Sequence, residues 1–198
     1  MELAEIDKWK IPVQSSKTSR SDGDLRDVVE DYESAMLDVR EVYELLMKAG
    51  KLIDYLAFVI RMCQAPGIDQ RLDIRWWWVS RRRSPVLVRW KRRGDKFVSC
   101  RVLRLTDEMV RRVAVEEIRP VLSGCMDVMP QLFGLWDALR RSLALRTFPR
   151  GHVRRHRFRE RLEEVAERIA DLHVEVQRQR DVRGARMERR FRVEEVLG

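Results

Sequence analysis

The chain has 198 residues, of which 44% are apolar and 37% charged, and its formal net charge is +9. This apolar content is too high for an intrinsically disordered chain, and a chain of this length buries roughly 70% of its surface on folding, so it needs no disulfide scaffold. The longest uninterrupted apolar run, residues 56–60, is far too short to cross a bilayer, which argues against a membrane span.

The positive charge is concentrated in one part of the chain. Residues 65–105 contain 12 basic and 3 acidic side chains, so this segment alone carries +9. Residues 1–64 carry −4, residues 106–145 carry −1 and residues 146–198 carry +5. Of the 41 basic residues, 34 are Arg. Such clustering indicates an interaction surface for a polyanion.

In chain order, we predict a flexible N-terminus over residues 1–21 and a single elongated domain over residues 22–198. A long helix over residues 22–64 is indicated because apolar residues recur every seven positions, with a second set three positions later. The two sets are Leu25, Tyr32, Val39, Leu46, Ile53 and Ile60, and Val28, Ala35, Val42, Ala49, Leu56 and Cys63. A sustained heptad pattern is typical of a helix that packs against another long helix.

Over residues 72–105 apolar residues recur at every second position. This spacing predicts a wing of three antiparallel strands, residues 74–80, 86–91 and 97–104. Alternation predicts one apolar face: Ile74, Trp76, Trp78, Val86, Val88, Trp90, Val98, Cys100 and Val102. The opposite face is then cationic: Arg75, Trp77, Leu87, Arg89, Lys91, Ser99 and Arg101. On this prediction, Trp77 is the one tryptophan among the cations, and the others belong to the core.

Helices follow over residues 106–147, beginning with Thr106 as the N-cap and acids in the first turn. Pro120, Ser123-Gly124 and Pro130 predict a break near residues 124–126.

The last long helix, residues 151–183, is basic and is followed by a tail over residues 184–198. Its apolar positions again follow heptad spacing: Phe158, Leu162, Val165, Ile169, Leu172 and Val176. Because this helix is rich in Arg and the first is acidic, we expect them to pair, either within one chain or across a homodimer. The predicted fold class is therefore α+β, mainly α: long heptad, coiled-coil-like helices with a three-stranded antiparallel β-sheet wing.

The cationic face predicts a site for phosphate groups, since guanidinium groups match phosphate oxygens in a bidentate manner. The candidate nucleic-acid-binding residues are Arg75, Trp77, Arg81, Arg82, Arg83, Arg89, Lys91, Arg92, Arg93, Lys96, Arg101, Arg154 and Arg155. Stacking of Trp77 on a splayed base would favour single strands. A solvated basic face, or one neutralised by the acidic first helix, is the alternative interpretation.

The sequence offers no catalytic site, metal site or cofactor motif. His152 and His156 have the spacing of a helical zinc pair but lack the Glu of such motifs and lie among arginines. Cys63, Cys100 and Cys125 are widely spaced, so we expect buried free thiols in a reducing compartment. The first residues lack the features of a secretory signal, and we expect a cytoplasmic protein.

Residues 86–112, VLVRWKRRGDKFVSCRVLRLTDEMVRR, resemble the hairpin-then-helix segment of uncharacterised proteins of bacterial mobile elements. Residues 74–118 also resemble the small arm-site-binding domain of some tyrosine-type integrases. This second resemblance implies that the face with Arg75, Arg89 and Arg101 lies in the DNA major groove. This chain has no counterpart of the catalytic tyrosine of the integrases, because its tyrosines, Tyr32, Tyr43 and Tyr55, all lie in the predicted first helix.

We therefore expect a non-catalytic nucleic-acid-binding accessory or regulatory protein of a mobile element, with DNA the favoured partner and no small-molecule substrate. The alternative is a protein–protein interaction scaffold whose basic wing binds an acidic partner. A membrane-surface role is disfavoured, since no amphipathic helix concentrates Lys and Trp. Whether the nucleic acid is DNA or RNA, and duplex or single-stranded, stays open.

Overall fold

The computed structural model describes residues 22–65, 70–79, 82–102, 106–145 and 152–197. The predicted flexible N-terminus, residues 1–21, lies outside these ranges. The chain divides into two units, residues 1–37 and residues 38–198, and the division falls within the first helix.

The protein is mostly helical, and the predicted α+β, mainly α, class is confirmed. The described elements, in order, are α1 (Asp22–Met62), β1 (Gln70–Val79), β2 (Arg82–Arg93), β3 (Lys96–Arg101), α2 (Asp107–Val113), a 3-10 turn (Glu116–Ile118), α3 (Arg119–Leu145) and α4 (His152–Leu197). The last helix therefore continues through most of the predicted tail, residues 184–198. No described helix is both long enough and apolar enough to cross a membrane.

Unit 1 is described only as the first part of α1. The large apolar side chains that are described in it are exposed, including Tyr32 at 59%, which belongs to the predicted heptad pattern.

In unit 2, the heptad pattern of α1 becomes a buried face. Among the predicted positions, those that are buried are Val42, Ala49, Ile53, Leu56, Ile60 and Cys63. Helix α4 runs parallel to α1, since Lys48 pairs with Glu163 (Nζ–Oε1 3.5 Å) and Tyr55 Oη lies 2.5 Å from His173 Nδ1. All six predicted apolar positions of α4 lie in the core or pack against it. The two helices thus contact each other within one chain.

Helix α3 runs antiparallel to α4, and a glycine sets how closely they approach. A Cβ atom on Gly124 would lie 2.7 Å from Leu172 Cδ2. The predicted break near residues 124–126 is therefore wrong, because Gly124 makes room for α4 inside a continuous helix. The chain breaks earlier, over residues 114–118, after Thr106 has capped α2 as predicted by accepting a hydrogen bond from Met109 N (3.3 Å).

The three predicted antiparallel strands are present in the order β1-β2-β3. Strands β1 and β2 begin four residues earlier than predicted, at Gln70 and Arg82. Strands β2 and β3 are joined by a two-residue turn in which Gly94 has a φ of +57°, a conformation that glycine adopts without strain.

The observed register corrects the predicted faces of the sheet. Ile74 lies opposite Leu87, and Val88 lies opposite Arg101. Strand β2 is thus one residue out of phase with the prediction: Leu87, not Val86 or Val88, shares a face with Ile74. The physical reason is that Val86, Leu87 and Val88 are consecutive, apolar and all buried, so alternation does not define the phase of this strand.

One face of the sheet packs on the helices, and we call it the core face. Leu72, Ile74 and Leu87 join the hydrophobic core there. Trp76 contacts Trp136 of α3 edge to face (5.2 Å between centroids), and its Nε1 donates to Asp54 Oδ1 of α1 (2.9 Å). These contacts orient the sheet on the helices.

The close approach at Gly124 leads to a stability prediction. We expect Gly124→Leu to lower the free energy of unfolding by about 1–3 kcal/mol, the usual cost of overpacking. Gly134→Leu, in the same helix, is the matched control, because a Cβ there would meet nothing within 4 Å. Chemical denaturation of both variants measures the difference, and equal stabilities would contradict the packing role of Gly124.

The cysteines differ in their surroundings. Cys63 and Cys125 are buried, whereas Cys100 is exposed in the edge strand β3. The expectation of a buried thiol is therefore wrong for Cys100. A hydrogen bond with Cys125, together with burial, raises the pKa of the Cys63 thiol.

We therefore expect a chromogenic disulfide reagent to titrate only Cys100 in the folded protein and all three thiols after denaturation. Rapid reaction of Cys63 or Cys125 without denaturant would show that the α1–α3 contact opens readily.

Candidate nucleic-acid interface

The second face of the sheet, which we call the cleft face, carries alternating residues of all three strands. They are Arg71, Asp73, Arg75, Trp77 and Val79 of β1, Arg82, Ser84, Val86, Val88, Trp90 and Arg92 of β2, and Phe97, Ser99 and Arg101 of β3. This face therefore combines arginines with three aromatic rings.

The structure divides the predicted site residues between the two faces. Five of them are on the cleft face: Arg75, Trp77, Arg82, Arg92 and Arg101. Five others, Arg83, Arg89, Lys91, Arg93 and Lys96, are on the core face. The prediction that Arg89 and Lys91 share a face with Arg75, Trp77 and Arg101 is therefore wrong, and its cause is the one-residue phase error in β2.

The structure assigns three predicted site residues, Arg81, Arg154 and Arg155, to neither face. Arg81 and the side chain of Arg154 lie outside the described residues. Arg155 is largely buried and pairs with Asp38 and Glu41 of α1, which removes it from the basic surface. Among the tryptophans assigned to the core, Trp78 is 73% exposed and Trp90 is on the cleft face.

A cleft of about 490 Å³ opens where the cleft face meets the end of α1 and the side of α4. Its lining is Arg71, Leu72, Asp73, Arg75, Trp90 and Phe97 of the sheet, Arg61, Gln64 and Ala65 from the end of α1, and Arg180 of α4. The lining thus contains four arginines and one carboxylate, an excess of three positive charges.

One wall of the cleft is fixed by Gln64. Its Nε2 donates to the carbonyl oxygen of Leu72 (2.6 Å), and its Oε1 accepts from the backbone N–H of Leu72 (2.8 Å). The carboxamide thereby occupies the outer edge of β1 as a neighbouring strand would. This contact ties the end of α1 to the sheet and protects an edge that would otherwise be unpaired.

Asp73 organises two of the arginines. Its carboxylate is buried, and it accepts a hydrogen bond from Arg61 Nη1 (3.0 Å) while Arg75 Nε lies 2.8 Å from its other oxygen. Because a buried carboxylate is costly unless it is paired, Asp73 requires both cations. The guanidinium groups are therefore held at the cleft in a defined position while about half of each side chain stays exposed.

Two arginines lie over aromatic rings. The Arg75 guanidinium carbon is 5.7 Å from the centroid of Trp90, and that of Arg71 is 6.0 Å from the centroid of Phe97. These are cation–π distances. Each ring thus lines the cleft with a guanidinium group over its face.

Arg71 and Arg180 make no ion pair with any described carboxylate. Their charges are available to an anion, and planar guanidinium groups bind phosphate through paired hydrogen bonds. Among the described residues, no group of three or more His, Cys, Asp or Glu side chains is placed to hold a metal ion. The chemistry that the cleft offers is therefore anion binding combined with stacking.

No protein-family model matches the chain, and comparison with curated proteins and with solved structures also gave no match.

Sequence reasoning missed Arg61, Gln64, Arg71, Asp73, Phe97 and Arg180 and misplaced Trp90. A detectable signal existed in β1, where Arg71, Asp73, Arg75 and Trp77 alternate once the strand is allowed to begin at Gln70. No local signal exists for Arg61 or Arg180, which reach the cleft only because α1 and α4 pack side by side.

The role of Asp73 can be tested by stability. We expect Asp73→Asn to lower the free energy of unfolding by about 1–3 kcal/mol, because it weakens hydrogen bonds to two charged partners at a buried position. Asp127→Asn, at an exposed position of α3, is the control and should change little. Equal effects in urea denaturation would show that Asp73 does not anchor the cleft.

Proposed function

We propose that this protein is a non-catalytic nucleic-acid-binding accessory or regulatory protein that contacts its partner through the cleft face. The observation that carries the proposal is the lining of the cleft, where four arginines face a single carboxylate and two aromatic rings lie among them. Nucleic acids are the polyanions that present phosphates and flat bases together.

The aromatic rings favour a nucleic acid over an acidic protein. Carboxylates of a protein partner would match the arginines, but they offer no flat surface for Trp90 and Phe97. Bases stack on aromatic side chains and on guanidinium planes alike. The cleft therefore favours a nucleic acid over the acidic protein partner of the scaffold alternative.

The surface differs from the one that the integrase resemblance implies. Arg75 and Arg101 share the cleft face, but Arg89 lies on the core face and cannot contact the same groove. Arg155 is likewise excluded, because it is paired within the helices. The proposal retains a mobile-element setting from the resemblance and a cytoplasmic location from the free thiols.

We expect Arg71→Glu and Arg101→Glu each to weaken nucleic-acid binding by about tenfold or more, because each change replaces a phosphate contact with a repulsion. Fluorescence anisotropy with labelled single-stranded, duplex and RNA probes measures the affinity. Arg83→Glu is the matched control, since Arg83 is an exposed arginine on the core face, and it should change affinity much less.

Salt dependence provides the second readout. If the protein contacts about six phosphates, its affinity should fall roughly 10³-fold when the salt concentration is raised from about 50 to about 200 mM. Absence of binding to every probe at low salt would contradict the proposal. Displacement of the probe by polyglutamate as readily as by unlabelled oligonucleotide would instead favour an acidic protein partner.

A further inference from the structure

We infer that the cleft binds single-stranded nucleic acid, holding the phosphate backbone between the arginines of its two walls and stacking bases on Phe97 and Trp90. This inference rests on the proposed function and specifies the form of nucleic acid that the same face accepts.

The shape of the site argues against a duplex. A sheet that reads duplex DNA must project into a groove about 12 Å wide, so its reading surface is convex. Here the arginine and aromatic side chains line a recess of about 490 Å³, and the end of α1 and Arg180 of α4 form its far wall. A recess of this size accommodates the bases and phosphates of a flexible single strand more readily than a base-paired helix.

The aromatic rings supply the stacking surface. Phe97 is 48% exposed, and Trp90 lies beneath the guanidinium group of Arg75. A base can stack on Phe97 if the guanidinium group of Arg71 moves from the ring face toward a phosphate, where its charge gains a stronger partner. The guanidinium group of Arg75 stays with Asp73, and a base can stack on the part of the Trp90 ring that lines the recess. In a duplex the bases are stacked on each other and are not available for this contact.

The arginines supply a path for the backbone. Arg71 lines the recess from β1 and Arg180 from α4, and neither pairs with a described carboxylate. Arg61 and Arg75 line the same recess and are held by Asp73. A backbone that passes through the recess thus meets positive charge from both the sheet and the helices.

Gln64 fixes the end of α1 relative to β1 before any ligand arrives. Its two hydrogen bonds to Leu72 connect the end of α1 with the edge of β1. The recess is thus formed in advance, and binding requires only side-chain movement of Arg71.

The test compares single-stranded and duplex probes of the same sequence, in DNA and in RNA, at one salt concentration. Phe97→Ala should weaken single-strand binding by roughly 5- to 150-fold, the loss that one stacked base carries, while duplex binding changes by less than about threefold. Trp90→Phe should retain most of the single-strand affinity, because it keeps an aromatic face. Trp78→Ala is the control, since this tryptophan is exposed on the core face.

Thermal unfolding of each variant verifies that the fold is retained, and a probe containing 2-aminopurine adds a direct readout, because its fluorescence is quenched when it stacks. Tighter binding of single strands, with quenching that Phe97→Ala reduces, supports the inference. Duplex binding that equals or exceeds single-strand binding, with no effect of Phe97→Ala, overturns the inference but leaves the proposed function intact. Failure to bind any probe overturns the proposed function itself.

Discussion

The end of α1 is fastened to the sheet by polar side chains, and the cleft depends on these contacts. The carboxamide of Gln64 forms the two hydrogen bonds that a further strand would make to Leu72. Beside it, Arg61 reaches the buried Asp73, and Asp73 in turn holds Arg75 above Trp90. Together with the hydrogen bond from Trp76 to Asp54, these contacts fix the sheet on α1, so that the arginines line one recess.

Arginine side chains have two roles in this molecule, ion pairing between helices and exposure at the cleft. On the helices, Arg155 is mostly buried and neutralised by Asp38 and Glu41, so it stabilises the pairing of α1 with α4. At the cleft there are four arginines and one carboxylate, which pairs with only two of them, so positive charge remains exposed where a ligand can reach it. The net charge of +9 therefore includes cations that hold the fold together and cations that remain for a partner.

The spacing of apolar residues was sufficient to predict the helices and strands but not which residues share a face of the sheet. The helices α1 and α4, the Thr106 cap and the three strands were predictable, because each depends on residues that are close in the chain. The phase of β2 was not, since Val86, Leu87 and Val88 are all apolar and all buried. Gly124 was misinterpreted because a glycine that ends a helix and one that admits a neighbouring helix look alike in sequence. Arg61 and Arg180 belong to elements far apart in the chain, so only tertiary packing brings them together.

The most direct measurement is photo-crosslinking of an iodouracil-substituted single-stranded oligonucleotide, followed by mass spectrometry of the adducts. A base that stacks in the cleft should crosslink to Phe97 or Trp90, and the adduct should disappear when unlabelled single strand is in excess. Crosslinking to Trp78 on the core face, or to the helices alone, would place the nucleic acid elsewhere and contradict the assignment of the cleft.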